Sequence, residues 1–213
     1  MAEATGLRER KKRATREALR EAALRLAAEH GPEKVRVDEI AEAAGVSPRT
    51  YNNYYSSREQ AIVAAVTAER DTRVAAAVAA TPVDARLADA VVEAIVTQYS
   101  EPDESAQRAM MLITASPALR VAYLDETGTV ERPLADAFAE RFGGAGGYAA
   151  RVLAAAVAGA VRVALEQWLQ TPPAPRPGGL VMVSGELPDA LRAALAPLAP
   201  AFDAADSVNS ISS

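Results

Sequence analysis

Within SPRTYNNYY, residues 47–55, Arg49, Thr50, Asn52, Asn53 and Tyr54 crowd short polar donors and acceptors into one turn or two of chain. Such groups suit the edges of DNA bases in a major groove. An asparagine amide can pair bidentately with adenine, and a tyrosine hydroxyl more often reaches a phosphate. Arg49 could read a guanine or hold a phosphate. These side chains do that work only if a helix presents them together, and the surrounding residues supply one. Ser47 is an N-cap and Pro48 takes the first helical position, where its missing N–H costs nothing. Tyr51 and Tyr55, four apart, then fall on the opposite, core-facing side.

The preceding stretch, DEIAEAAGV, reads as a second short helix with Ile40, Ala41 and Ala44 turned inward and Asp38 or a neighbour capping its start. Gly45 gives the turn between the two helices the backbone freedom it needs. The spacing predicts a helix-turn-helix over residues 38–55.

Charge supports a polyanionic partner only when it is divided along the chain. The whole sequence of 213 residues carries a net −5. Residues 1–58, however, hold 12 Lys and Arg against 9 Asp and Glu, whereas the remaining 155 hold 11 against 19. Arg8, Arg10, Lys11, Lys12, Arg13 and Arg16 stand at the start, where they could neutralise phosphates, Lys12 and Arg13 being expected as DNA contacts. There is no cysteine and a single histidine, His30, at a helix end where the dipole favours it. A disulfide framework, a zinc finger and an ordinary Cys or His nucleophile are excluded; no metal or cofactor is expected. No window approaches 18 uncharged apolar residues and no secretory leader is read at the N-terminus, so a cytoplasmic protein with no membrane partner is expected.

Hydrophobic periodicity places helices over Thr15–His30, Glu59–Val78, Asp84–Tyr99, Glu104–Thr114, Ser116 to about Glu126, onward through Phe142, Tyr148–Gln170 and Leu187 to about Leu198. Glu59–Val78 reads as a strut between two domains. Residues 171–185 are a Pro/Gly linker in which LVMV reads as a packed loop, and the Ser-rich end reads as disordered. The fold class is all-α. The division is 1–58 as a basic arm with the DNA-binding domain, 59–205 as a helical ligand-binding and dimerisation domain, and 206–213 as a disordered tail. The helix over 148–170 is nearly all apolar and needs cover on more than one side. With the helix after Leu187 it is expected to form a four-helix interface between two copies, through Leu153, Val157, Gly159, Leu165, Leu191 and Leu195.

The basic arm, a first helix ending in HG, and VRVDEIAEAAGVSPRTYNNYYSSREQAI together resemble the N-terminal domain of the TetR family of transcriptional regulators, over about residues 10 to 65. The resemblance implies an all-α homodimer that binds operator DNA and a small-molecule effector. It matches Thr50 to a helix-3 threonine, Tyr54 to a phosphate-touching His or Tyr, and Arg58 to the lysine that usually opens helix 4. Tyr55 replaces a more usual Phe and Asn52 an aromatic, departures that alter which bases are read. SPALRVAYL, 116–124, and ARVLAAAVAGAVRVALEQWL, 150–169, resemble the subgroup with an acyl-CoA-like ligand domain, similar to the mycofactocin-system regulator.

An apolar effector with one anionic end follows, walled by Met110, Met111, Ile113, Tyr123 and Trp168 and met by Arg108, Arg120 or Arg162. Arg162 could equally pair with Glu166 one turn away. The expected function is a ligand-responsive homodimeric repressor. The alternative is a helical enzyme or a protein-interaction module that uses the same cavity without reading DNA.

Overall fold

The computed structural model describes residues 2–100, 104–143, 147–170 and 187–210, and among them every regular element is helical. The linker at 171–185 and its LVMV segment lie outside the described residues. The chain divides into two compact units, Met1–Thr67 with Asp103–Glu126, and Ala68–Pro102 with Thr127–Ser213.

In the first unit, α1 (Ala2–His30) buries Leu19, Ala22, Ala23 and Ala27 on one stripe. It begins well before Thr15: Arg, Lys, Glu and Ala are all good helix formers, so the basic stretch continues the helix with nothing to bury. Gly31, at φ +86°, ends it. α2 (Val37–Ala43) starts at Arg36, whose backbone N–H donates to the Glu39 carboxylate at 2.9 Å; Asp38 is a first-turn acid, not the cap. Its far end closes as a Schellman turn, with Val46 N–H donating to the Ala41 carbonyl at 2.9 Å and Gly45 N–H to that of Glu42 at 3.0 Å. Gly45 sits at φ +68°, the left-handed conformation such a turn demands.

α3 (Pro48–Asn52) follows after four residues, and α4 (Arg58–Ala79) starts behind a cap in which Gln60 N–H donates to Ser57 Oγ at 3.1 Å. The Gln60 side chain in turn accepts from Ser56 N–H at 2.8 Å. α6 (Glu104–Ala115) packs on α1 and on α7 (Pro117–Asp125), which Ser116 caps by accepting from Leu119 N–H.

The second unit is built on α9 (Gly147–Gln170), which lies along α8 (Glu131–Arg141) and α10 (Leu187–Leu195). α5 (Leu87–Ser100) covers α10, and α11 (Ala199–Ser210) packs on α5 and α9. By length and composition α9 could cross a membrane, yet Leu153, Val157, Val161 and Leu165 form one side of the core of this unit. Gly128 lies in a 3-10 turn, Glu126–Val130.

The expected disordered tail is helical as far as Ser210. Phe202 is buried edge-on to Phe138, with ring centroids 5.5 Å apart, and two ion pairs fasten the same helix: Asp203 with Arg86 at 2.6 Å and Asp206 with Arg141 at 3.1 Å. Arg141 also donates to the carbonyls of Pro82 and Ala85, at 3.1 and 2.8 Å, stapling the turn between α4 and α5.

Candidate nucleic-acid interface and effector domain

The Ser47 hydroxyl accepts from Thr50 N–H at 3.1 Å, and the Ser47 and Thr50 hydroxyl oxygens lie 2.9 Å apart. The cap therefore starts α3 and orients Thr50 at once. Arg49, Asn52 and Asn53 are exposed, Thr50 and Tyr54 are half-buried, and Tyr51 and Tyr55 are in the core with ring centroids 5.9 Å apart. The division of the two faces follows the one-turn spacing of the tyrosines.

Each buried hydroxyl has a partner. Tyr51 donates to the Ser57 carbonyl at 2.7 Å, tying α3 to the start of α4, and Tyr55 donates to the Arg16 carbonyl at 3.4 Å, tying it to α1. Burial pushes both phenols up, Tyr55 to about 12 against the opposing charges of Arg20 and Arg16, so both remain protonated donors. Tyr54 lies beneath the Arg16 guanidinium, 5.7 Å from its ring centroid.

Lys12 and Arg13 are exposed on α1. Arg58 is otherwise engaged than its place in the motif suggests. Its Nη1 donates to the carbonyls of Glu33 and Val35 at 2.9 and 3.0 Å, and its Nε to Glu59 at 2.8 Å. It therefore clamps the α1–α2 connector to the first turn of α4. Arg16, which the sequence offers only as one cation of the basic run, is the one that the fold sets against Tyr54.

The eight residues expected around an effector divide between the units. Arg108, Met110, Met111, Ile113, Arg120 and Tyr123 belong to the first, Arg162 and Trp168 to the second. Ile113 and Tyr123 are fully buried, whereas Met111 is 64% exposed. Arg108 pairs with Glu104 on its own helix, and Arg162 donates to Glu166 at 2.8 Å, which is the local pairing its spacing allowed. A groove of about 490 Å³ between α9 and α10 is lined by Val163, Trp168, Ala193 and Ala194, and of the eight expected residues only Trp168 reaches it. A second, of about 380 Å³, is a charged depression beside Glu131, Arg132, Asp136 and Arg151. No group of side chains able to hold a metal occurs among the described residues.

Sequence reasoning also missed the most deeply buried charges among the described residues. Arg70 and Asp71 on α4 are each 4% exposed. Arg70 stacks 3.8 Å from the Tyr99 ring centroid, Thr129 donates a hydrogen bond to the Asp71 carboxylate, and burial pushes that carboxyl up in spite of Arg70 and Thr129. The charged run ERDTR, residues 69–73, between apolar stretches of α4 was the available sign.

Five of the six residues expected at an interface between copies belong instead to the chain's own core: Leu153, Val157, Leu165, Leu191 and Leu195 are at most 5% exposed. They lie on the elements that pack together as α8, α9 and α10 within this chain. Gly159 alone faces outward, and a Cβ built there meets no heavy atom within 4 Å. Around it, on the same side of α9, Tyr148, Val152 and Val163 are 86, 57 and 58% exposed.

Two family models match this chain, bacterial regulatory proteins of the tetR family over residues 19–65 and the MftR C-terminal domain over residues 80–203. The HTH-type transcriptional regulator TcmR of Streptomyces glaucescens is 31% identical over 153 residues, and the match spans 65% of this chain and 65% of that protein. Among solved structures, the fatty acid degradation regulator FadR from Bacillus halodurans is similar over 86% of this chain and 96% of that one, at 18% identity and a TM-score of 0.40. NalD, the secondary repressor of the MexAB-OprM multidrug efflux pump in Pseudomonas aeruginosa, is similar over 88 and 96%, at 16% identity and a TM-score of 0.39. The first model coincides with the helix-turn-helix built by α2 and α3, and the second alone covers more than half of the sequence. The chain thus belongs to the TetR family of transcriptional regulators, with the family's helix-turn-helix domain at its N-terminal side and a helical C-terminal domain of the MftR type.

Proposed function

We propose that this chain is a cytoplasmic, homodimeric repressor that leaves its operator when a largely apolar small molecule with one anionic end, of the acyl-CoA kind, binds its C-terminal domain. The observation that carries the DNA half of this reading is the two-faced segment of α3 and the turn that follows it: Arg49, Asn52 and Asn53 outward, Tyr51 and Tyr55 locked inward by hydrogen bonds. Residues 1–58 are the DNA-binding part and residues 59–205 the ligand-binding and dimerisation part. Asn53 reads a base, Tyr54 and Arg16 hold phosphates, and Arg58 positions the helix-turn-helix through the carbonyls of Glu33 and Val35.

The exposed stripe of Tyr148, Val152, Gly159 and Val163 is what a second copy covers, since side chains of that size each gain ~1.5 to 3 kcal/mol on burial. Two copies read paired half-sites only when their α3 helices sit one helical repeat apart, ~34 to 36 Å, or a multiple of it. An effector that changes the spacing through α4 therefore releases DNA.

The test combines three variants with a gel shift on duplexes selected by the wild-type chain from a random pool. Asn53→Ala changes the preferred sequence, Tyr54→Ala weakens all duplexes alike, and Arg58→Ala lowers the melting temperature together with DNA binding. Unchanged affinity and preference for the first two would remove α3 as the reading helix. For the effector, long-chain acyl-CoAs are screened by thermal shift and gel shift together. A ligand confined to the DNA-free state stabilises by ~2.7 kcal/mol at a hundredfold excess over its Kd and releases DNA in the same titration. Stabilisation by a cationic or strongly hydrophilic compound, with none by acyl-CoAs, would overturn the effector class and leave the regulator standing.

A further inference from the structure

α1 continues as a helix far beyond the part that the helix-turn-helix needs. Leu19 is its first buried residue, and the helical stretch from Leu7 to Ala18 packs its described side chains into no core. On that projecting helix Arg8, Lys12, Arg16 and Arg20 recur every fourth residue, so they share one face. Arg8, Lys12 and Arg16 are exposed and Arg20 is half-buried; among the described residues no carboxylate forms an ion pair with any of the four. Three successive like-charge pairs at this spacing repel one another in an isolated helix.

The stripe runs into the base-reading surface. Arg16 lies over the Tyr54 ring at 5.7 Å, and its carbonyl accepts from Tyr55 at 3.4 Å, so the end of α3 is fixed against the stripe. A membrane surface does not fit this helix, because Leu7 is its one exposed large apolar residue and an interfacial helix needs an apolar face.

We infer that Arg8, Lys12, Arg16 and Arg20 form a rigid phosphate track that carries the DNA contact of each copy beyond the half-site read by α3. At ~1.5 Å per residue the track is about 18 Å long, the axial length of about five phosphates of one strand at ~3.4 Å each. The inference rests on the reading of α3 as the helix that reads bases.

The experiment uses the full chain and two duplexes selected by it from a random pool, one limited to the paired half-sites and one extended by five base pairs on each side. Arg8→Gln/Lys12→Gln removes two cations and keeps good helix formers, and circular dichroism verifies the helix. The wild type is expected to bind the longer duplex more tightly and the double variant to lose that advantage. Each phosphate neutralised adds about 0.9 to the salt slope, so between 50 and 200 mM salt the wild type loses ~12-fold more affinity per copy than the variant.

Sequence preference stays the same. If the variant keeps the wild-type salt slope and length dependence while Asn53→Ala still shifts preference, the track is wrong and the reading of α3 survives. If the wild type selects no duplex at all, both fall.

Discussion

Gly159→Leu separates the stability of one chain from the association of two. Gly159 lies in the interior of α9 on its exposed side, and a Cβ there meets nothing within 4 Å in its own chain. Within the chain the substitution can only help, because glycine in an exposed helix interior costs ~0.8 to 1.0 kcal/mol relative to alanine and leucine is nearly as good as alanine. Against a second copy packed on Val152, Gly159 and Val163 the sign reverses. Overpacking at a close helix crossing costs on the order of 1 to 3 kcal/mol, and both copies carry it, so dimerisation weakens by ~2 to 6 kcal/mol. At ~1.4 kcal/mol per tenfold, Kd rises by roughly 30-fold to 20,000-fold. Sedimentation equilibrium over a concentration series reads the association, and circular dichroism reads the helix content. A wild-type chain that sediments as a monomer at micromolar concentration, or a Leu variant with an unchanged dimer Kd, would refute the assignment of this face.

Gly45→Ala should cost ~1 to 2 kcal/mol from backbone conformation alone, since its φ is +68° and nothing lies within 4 Å of the new methyl. Gly45→Asn should cost less, as asparagine tolerates that region, and thermal melts of both variants check the order. Tyr51→Phe removes the hydroxyl that donates to the Ser57 carbonyl at 2.7 Å, and because that carbonyl still accepts from Ala61 N–H at 3.3 Å, a loss of ~0.5 to 1.5 kcal/mol should appear in thermal melts. Asp71 has a raised pKa because it is buried, so the folded state binds its proton more tightly than the unfolded one. Its contribution to stability is full below the ordinary aspartate pKa of ~3.9 and is lost as the pH rises through the raised value. Thr129→Val, which removes a hydrogen bond that favours the charged form, should steepen that loss in melts from pH 4 to 7, and a slope equal to that of the wild type would count against the pairing.

Local chemistry was legible in the sequence wherever neighbours along the chain decide the outcome. Ser47 with Pro48, Ser116 with Pro117, Gly31 and Gly45 mark helix ends through interactions that span four residues or fewer, and each acts where its type predicts. The inward turn of Tyr51 follows from helical period, and Tyr55, beyond the end of α3, keeps to that side because its N–H donates to the Tyr51 carbonyl at 3.0 Å. Periodicity likewise makes α9 apolar on most of its surface, but it cannot say which apolar residues meet their own chain and which are left over. Only the packing of α8 and α10 on α9 puts Leu153, Val157 and Leu165 inside and leaves Tyr148, Val152 and Val163 outside, because burial depends on partners remote in sequence.

The same holds for the charges. Along the chain Arg58 is only the cation that opens a helix, and the carbonyls it holds, those of Glu33 and Val35, are 25 and 23 residues away. The last helix survives its serines because Phe138, Arg86 and Arg141 hold it from distant segments. Composition and spacing set which helices form and what α3 offers to DNA; long-range contacts, which no local pattern encodes, decided which cations are structural and which face of α9 is bare.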